Sequence, residues 1–289
     1  MAVFVFATYP ISLAIQMSPA MTQYWTIHDY ATTSSTTVSL WQPSNRPGEY
    51  YARLKLDGTG FAAALLDDRI AGMSAGTIAA ITFGGPNHTD PIWITGLNLS
   101  AESFYDDLIS GDRQAAYLSL LSGHDSIRGG LRDDSLEGLA GKDTVRGLSG
   151  DDRLSGGFGD DDLLGGTGAD RLSGGAGSDR LTGGHGRDAF VFETGLGRSQ
   201  RDTITDFRAA DDVIRLDDAI FAAFGASGTV LKNQFVQGSI AADTEDRIIY
   251  DRAAGVLSYD RDGLGGAGQV VFALVEPDTA LNHRDFVII

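Results

Sequence analysis

Eight consecutive nonapeptides occupy residues 123–194 without an insertion, and two of their nine positions keep one kind of residue throughout. The fifth position is always apolar, in the order Ile127, Leu136, Val145, Leu154, Leu163, Leu172, Leu181 and Phe190. The third position is always aspartate, in the order Asp125, Asp134, Asp143, Asp152, Asp161, Asp170, Asp179 and Asp188. Chance does not keep two such registers through eight units, and a short fixed period of this kind predicts a solenoid of stacked units.

The most complete units read GGxGxD followed by x-U-x, where U is the apolar residue, and each part of the unit predicts one kind of backbone. Repeated glycine suits positions of positive φ, so the first six residues are expected to form a turn. The last three residues are expected to form a very short strand whose apolar side chain points inward. Two units then complete one coil with a turn on each side, and successive coils stack into a two-layer parallel roll.

A roll of this kind has a small apolar core. One apolar side chain per nine residues falls short of offsetting the ordering of the backbone, which costs about 1–2 kcal/mol per residue. Turns one coil apart lie above each other, so two aspartates separated by two units can share a cation, with glycine carbonyls completing an all-oxygen shell. Such a flexible oxygen cage suits Ca²⁺ better than Mg²⁺, and no thiolate or imidazole cluster indicates zinc. We therefore expect Ca²⁺ as the cofactor.

The repeats resemble the RTX, or hemolysin-type calcium-binding, nonapeptide family. The resemblance implies a chain dominated by β structure, with a parallel β-roll at residues 123–194 between a small N-terminal β-rich module and a C-terminal β cap. It also implies export to the extracellular space, where the repeats fold on binding calcium. A flexible linker rich in glycine and aspartate is the alternative, but linkers do not hold an apolar register.

Four turns carry the complete motif, and they contain most of the residues that the resemblance implies as calcium ligands. Their glycines are Gly156, Gly157, Gly159, Gly165, Gly166, Gly168, Gly174, Gly175, Gly177, Gly183, Gly184 and Gly186. Their aspartates, taken two units apart, form the two pairs that we expect first, Asp161 with Asp179 and Asp170 with Asp188.

The earlier turns depart from the motif. Leu139 and Leu148 replace the second glycine of their turns, and Arg132 replaces a third glycine. Sites are still expected at two further pairs, Asp143 with Asp161 and Asp152 with Asp170. The case for a site at Asp134 and Asp152 is the weakest.

The charge of the chain limits its partners. Acidic residues outnumber basic ones by 39 to 22, which gives a formal net charge of −17. This charge disfavours nucleic acid and anionic membranes as partners and favours cations. The chain has no cysteine, so disulfides cannot stabilise its weaker parts.

Residues 1–20 form an apolar leader that contains Pro10, and no lysine or arginine occurs before Arg46. This pattern fits neither a secretory signal peptide nor a transmembrane segment. We expect a poorly ordered extension here, and a cleaved signal is the alternative.

Residues 195–289 are similar to the segment that follows the roll in serralysin-like proteins, which implies a C-terminal cap. The chain end DFVII, residues 285–289, resembles the export signal that type I secretion systems recognise. The type I secretion apparatus is therefore an expected partner, and the expected location is extracellular.

Within the expected cap, four aspartates follow the repeats, and they either bind a further calcium ion or keep a capping strand soluble: Asp202, Asp206, Asp211 and Asp212. Apolar alternation on both sides of residues 253–255 predicts a hairpin. The DRDG segment at residues 260–263 opens like an EF-hand loop but lacks its later ligands, so a simple turn is expected.

Residues 21–122 carry no repeat. Their β-branched and aromatic segments predict short strands, and residues 100–122 predict a helix. The segment GMSAG at residues 72–76 matches the G-x-S-x-G nucleophile elbow, although a loop before the next strand is the favoured structure for Ser74. No H-E-x-x-H motif occurs, so zinc protease activity is not implied. The G-x-G-x-x-G match at residues 263–268 precedes a strand and is not a dinucleotide site.

Two functions remain open. The favoured one is a secreted, non-enzymatic calcium-binding protein whose N-terminal module binds a surface, a glycan or a matrix component. The other is a small esterase-like or lipase-like hydrolase that uses Ser74 and carries the roll as an export module. The hydrolase lacks a well-placed histidine, because two of the three downstream candidates, His124 and His185, lie in the repeats and leave only His88.

Overall fold

The computed structural model describes residues 121–197, 200–225, 227–263 and 268–289, together with the backbone of seven strands between residues 3 and 100. The helix predicted at residues 100–122 falls almost wholly outside the described residues. The regular structure that is described is β, apart from three short 3-10 turns, Ala222–Phe224, Lys232–Gln234 and His283–Asp285. A search of the described residues finds no helix with the length and apolarity to cross a membrane.

The seven N-terminal strands are β1 (Val3–Val5), β2 (Ser12–Ala14), β3 (Thr26–Ile27), β4 (Thr36–Pro43), β5 (Tyr50–Leu66), β6 (Arg69–Gly84) and β7 (Ile92–Ser100). Strands β1 and β2 form an antiparallel pair inside the segment expected to be a poorly ordered leader. Strands β3 to β7 pair antiparallel with one another, which confirms the β-rich N-terminal module.

The loop predicted around Ser74 is wrong, because Ser74 lies within β6. The strand pairs with β5 along most of its length, and Ser74 falls at a register shift between Ala62 and Ala63 of that partner. Antiparallel pairing therefore carries the backbone through the GMSAG segment, with a bulge where a loop was expected.

The repeats form the short strands β8 (Ser126–Arg128), β9 (Ser135–Ala140), β10 (Thr144–Ser149), β11 (Arg153–Phe158), β12 (Asp162–Thr167), β13 (Arg171–Ala176), β14 (Arg180–His185) and β15 (Ala189–Phe192). Even-numbered strands pair in one sheet and odd-numbered strands in another, always parallel and between alternate units, as in Leu154↔Leu172. The two-layer parallel roll with two units per coil is thus confirmed.

Seven of the eight strands are longer than the three residues predicted, and in the complete motifs the strand continues through the first two glycines. Gly157 pairs with Gly175 and Gly166 pairs with Gly184 in register. Only the last part of GGxGxD turns the chain, with Gly159 at φ +123°. A Cβ atom at Gly159 would overlap the carbonyl oxygen of Gly141 one coil away, so only glycine permits coils to stack this closely.

The apolar residues of the fifth position fill the centre of the roll. All eight are buried, and Val145, Leu163, Leu172, Leu181 and Phe190 have no exposed surface. These eight side chains therefore stack between the two sheets, and we call this stack the central file.

The C-terminal cap extends both sheets through β16 (Asp202–Ile204), β17 (Val213–Leu216), β18 (Gly228–Thr229), β19 (Phe235–Gln237), β20 (Ile248–Asp251), β21 (Val256–Asp260), β22 (Gln269–Leu274) and β23 (Phe286–Ile288). The first sheet continues from β14 through β16, β22, β21 and β20 to β19. The second continues from β15 through β17 and β23 to β18. Strand β7 pairs with β8, so in the described part of the chain the first sheet has 14 strands and the second has seven.

Two predictions for the cap are confirmed. Strands β20 and β21 form the expected antiparallel hairpin, with Gly255 at φ +68° in its turn. The side chain of Asp260 accepts hydrogen bonds from the amides of Asp262 and Gly263, which is the geometry of a local turn.

Truncation of the central file tests the core of the roll. We expect Leu172→Ala to lower the free energy of unfolding of the calcium-loaded protein by about 2–5 kcal/mol, because it leaves a cavity between two layers. Phe158→Ala is the matched control, since Phe158 is 72% exposed. Urea denaturation in excess calcium measures both variants, and equal effects would contradict a core formed by this file.

Candidate calcium site

The turns of the roll lie in two rows, one along each side. The first row contains the turns that end at Asp125, Asp143, Asp161 and Asp179, and the second contains those that end at Asp134, Asp152, Asp170 and Asp188. Within a row, the amide of each aspartate donates to Oδ1 of the aspartate in the next coil. The N···O distances are 2.7–3.0 Å for Asp125→Asp143, Asp143→Asp161, Asp161→Asp179, Asp134→Asp152, Asp152→Asp170 and Asp170→Asp188.

The second carboxylate oxygen has no such partner in seven of the eight turns. Oδ2 is buried without a hydrogen bond at seven aspartates, Asp125, Asp143, Asp152, Asp161, Asp170, Asp179 and Asp188. None of these residues is more than 4% exposed. A buried acceptor without a donor costs free energy, and the cost is larger when the acceptor is charged.

At four of these aspartates, a glycine of the same turn and a carbonyl of the next coil lie beside Oδ2. A Cβ atom placed on Gly156 would overlap Oδ2 of Asp161 and would lie 2.5 Å from the carbonyl oxygen of Gly174. Gly165 has the same surroundings, with Oδ2 of Asp170 and, at 2.6 Å, the carbonyl oxygen of Gly183. The pattern recurs at Gly138 and Gly147 with Asp143 and Asp152. Two acceptors from adjacent coils thus converge on a space that only glycine leaves open.

This donor set fits a calcium ion. Carboxylate and carbonyl oxygens in a glycine-lined space are the ligands that a hard cation of flexible coordination takes. Within the described ranges, no three side chains of His, Cys, Asp or Glu come together as a metal cluster, so backbone carbonyls would have to supply part of the shell. The structure brings together both members of all four expected aspartate pairs.

The ionised state of these carboxylates is unfavourable in their buried positions. Burial raises the pKa of Asp152 from 3.8 to about 7, with smaller contributions from the nearby charges of Asp170 and Asp134. Burial likewise raises the pKa of Asp161 and Asp170 to about 6, with smaller contributions from Asp143 and Asp188 of the same rows. The stacked carboxylates therefore gain from a proton or from a cation that neutralises them.

The weakest predicted pair differs from the others in its hydrogen bonds. Oδ2 of Asp134 accepts from the amide of Gly130 at 2.6 Å, whereas Oδ2 of Asp152 accepts nothing. The leucines that replace glycine in the earlier turns keep the glycine conformation, with φ +73° at Leu139 and +84° at Leu148. Left-handed backbone at such residues costs about 1–2 kcal/mol, so these turns are strained in a way the complete turns are not.

Both rows of aspartates continue beyond the repeats into the cap. The amide of Asp179 donates to Oδ1 of Asp202 at 3.1 Å, and the amide of Asp188 donates to Oδ1 of Asp212 at 3.0 Å. The spacings are 23 and 24 residues because longer loops of the cap replace the turns. Each of these aspartates opens a D-x-U triplet like those of the repeats, and this triplet is the one part of the repeat pattern that they keep.

The other two acidic residues differ from each other. The carboxylate of Asp206 accepts from the amides of Gly183 and Gly184 at 2.9 and 2.8 Å, so it caps the last complete turn. Beside it, Nη1 of Arg208 donates to the carbonyl oxygen of Gly184 at 2.5 Å. Asp211 is exposed and lies outside the ladder of carboxylates.

Comparison with known proteins supports the assignment of the repeats. The family model of the RTX calcium-binding nonapeptide repeat (4 copies) matches residues 121–154 and 155–190. No curated protein matches the chain significantly.

Two solved structures are similar in part, both of them subunits of the mannuronan C5-epimerase of Azotobacter vinelandii. The AlgE6R3 subunit is 22% identical with a TM-score of 0.31, and the match covers 56% of this chain and 76% of that one. The AlgE6R2 subunit is 24% identical with a TM-score of 0.28, and the match covers 54% and 87%. The similarity of residues 195–289 to serralysin-like proteins stays a prediction. The family model and the parallel pairing of alternate strands identify residues 121–190 as RTX calcium-binding nonapeptide repeats in a β-roll, and such repeats imply Ca²⁺ as the cofactor.

Proposed function

We propose that this protein is a secreted calcium-binding protein whose repeats fold on binding extracellular calcium after type I export. The observation that carries the proposal is the row of buried Oδ2 atoms without hydrogen-bond partners, at Asp143, Asp152, Asp161, Asp170, Asp179 and Asp188. At Asp143, Asp152, Asp161 and Asp170, this oxygen and a carbonyl oxygen of the adjacent coil converge on a space that only glycine leaves open. The aspartates and glycines of the four complete turns are the proposed ligands.

The energetics of the roll make folding depend on calcium. Without a cation, the rows place buried like charges one coil apart, and the core of the roll offers only one apolar residue per nine. Each site occupied at ten times its dissociation constant adds about 1.4 kcal/mol to stability. Extracellular calcium modules have dissociation constants of about 10⁻⁴–10⁻³ M, so cytosolic calcium leaves such sites empty and extracellular calcium fills them. Several coupled sites can therefore move the roll across its folding threshold.

The chain end supports export of an unfolded chain. Phe286 and Ile288 are buried in β23, which pairs with β17 and β18 in the folded protein. A secretion apparatus could read the DFVII segment only before β23 enters the second sheet. Export before folding, followed by folding in calcium, allows this segment to act first as the export signal and then as strand β23 of the cap.

For the N-terminal module we propose binding or adhesion to a surface or glycan, supported by its β-rich strands β3 to β7. The hydrolase alternative gains no support from the backbone. A nucleophile elbow is a sharp turn between a strand and a helix, whereas Ser74 lies inside the continuous strand β6.

Removal of one shared carboxylate tests the calcium sites. Asp170 takes part in two expected pairs, so we expect Asp170→Asn to raise the calcium midpoint of folding several-fold. Asp211→Asn is the matched control, because it removes the same charge from an exposed position. Far-UV circular dichroism during a calcium titration measures both, and equal midpoints for the two variants would contradict the assignment.

Acid should partly replace calcium. The pKa of Asp152 is raised from 3.8 to about 7 by burial, so between these values the folded calcium-free roll binds more protons than the unfolded chain. Stability of the calcium-free roll therefore falls as pH rises through this window, and the full penalty is present above about pH 7. In chelator, we expect lowering the pH from neutral to about 4.5 to increase the strand signal. A calcium-free roll that loses structure on the same acidification would contradict this sign.

A further inference from the structure

A second set of hydrogen bonds runs along the outside of the turns, through the residue that precedes each aspartate. The amide of Ala169 donates to Oδ1 of Asp151 at 2.7 Å, and the amide of Ser178 donates to Oδ1 of Asp160 at 2.9 Å. The amide of Asp151 donates in the same way to Asp133 at 2.8 Å. We call these bonds the outer ladder, and the bonds between successive aspartates the inner ladder.

The two ladders run in opposite directions. In the inner ladder the amide of the earlier coil donates to the later carboxylate, as from Asp152 to Asp170 at 2.8 Å. In the outer ladder the amide of the later coil donates to the earlier carboxylate, as from Ala169 to Asp151. Where both occur, two adjacent turns hold each other reciprocally at the spacing that brings the Oδ2 and carbonyl oxygens together.

The outer ladder cannot form at every pair of turns. The residue before the aspartate is Lys142 in one turn and Ala169 in another, and neither side chain contains a hydrogen-bond acceptor. The pairs Asp143 with Asp161 and Asp170 with Asp188 therefore have only the inner bond of these two. The pairs Asp152 with Asp170 and Asp161 with Asp179 have both.

We propose that the residue before each aspartate is a positioning residue. It decides how tightly calcium is held between that aspartate and the aspartate of the next coil. Asp151 and Asp160 preorganise the sites at Asp152/Asp170 and Asp161/Asp179, whereas Lys142 and Ala169 leave their sites to be ordered by the ion. This inference rests on the aspartate pairs of the proposed function.

Preorganisation is the physical reason for the difference. A site whose turns already stand at the right separation loses less conformational freedom when the ion binds. One net hydrogen bond changes an equilibrium constant by about fivefold. We therefore expect ions between doubly bonded turns to leave about fivefold more slowly than ions between singly bonded turns.

The effect of the hydrogen bond has to be distinguished from the effect of the negative charge, because a carboxylate also attracts calcium through space. Asp151 and Asp160 are exposed, where such an attraction is weak and screened by salt. Asparagine keeps the acceptor oxygen and removes the charge, so it distinguishes the two effects. Asp162, half-buried on a strand with its Oδ1 3.9 Å from Nε of Arg180, provides a charge control outside both ladders.

The experiment is calcium release from the full-length protein, loaded with calcium and mixed rapidly with an excess of a fluorescent chelator. In Ala169→Asn we expect the outer bond to the amide of residue 187 to form, and one ion to move from the faster to the slower phase. In Asp151→Ala we expect one ion to move the other way, and Asp151→Asn should restore the slow release. Asp162→Ala should leave the phases unchanged.

The outcomes separate this inference from the proposed function. Release phases that respond to neither Ala169→Asn nor Asp151→Ala would overturn the inference while leaving the calcium sites in place. Asp151→Asn behaving like Asp151→Ala would also overturn it, since charge would then be the cause. A wild-type protein that releases no calcium would instead overturn the assignment of the sites. If Asp151→Ala fails to fold, the gain expected in Ala169→Asn still decides the question.

Discussion

The structure depends on a repulsion that the protein cannot relieve with its own side chains. Two rows of buried carboxylates stack one coil apart. At Asp143, Asp152, Asp161 and Asp170, a backbone amide holds one carboxylate oxygen and the other lies close to a carbonyl oxygen of the next coil. Two hydrogen-bond acceptors, a carboxylate oxygen and a carbonyl oxygen, thus lie close together between adjacent coils. Burial raises the pKa values of these carboxylates. A cation shared between turns converts this conflict into the interaction that holds successive coils together. The apolar file at the centre fixes the register of the coils, but it is too thin to hold them alone.

The rest of the chain pairs with three of the four edge strands of the roll, whereas β9 remains the edge of the second sheet in the described part of the chain. A stack of short parallel strands exposes unpaired backbone at both ends, which invites pairing with other chains. Strand β7 covers the start of the first sheet, and β16 and β17 carry both sheets into the cap. There a cluster of aromatic rings replaces the file of leucines, with Phe221 packed edge-on against Tyr259 and Phe272 at centroid distances of 5.0 and 5.3 Å. The cap therefore adds an aromatic cluster to the apolar core that it shares with the roll.

The period of the sequence was sufficient to predict the roll, its two rows of turns and the pairing of aspartates from alternate units. It was sufficient because one apolar and one acidic register, both of period nine, leave few ways to stack a chain. The length of the strands was mispredicted, since glycine suggests a turn although its backbone can still join a parallel ladder, as Gly157 does with Gly175. Ser74 was misplaced because a glycine-rich strand with a bulge resembles a loop in sequence.

The ends of the rows were harder to predict than their middle. Asp202 and Asp212 take the places of repeat aspartates, but loops of different length move them off the period of nine. Only the D-x-U triplet survives there, and it is too short a pattern to stand out in an acidic chain. The outer ladder was also missed, because it depends on whether a variable residue of the motif has an acceptor and not on the type of residue alone.

The most direct test of the central claim is a calcium titration of the purified full-length protein at neutral pH, starting in chelator and followed by far-UV circular dichroism. The account predicts that strand signal appears cooperatively near a calcium concentration of about 1 mM, the range of weak extracellular sites. A chain whose repeats are already folded in chelator, or stay unfolded at tenfold higher calcium, would contradict it.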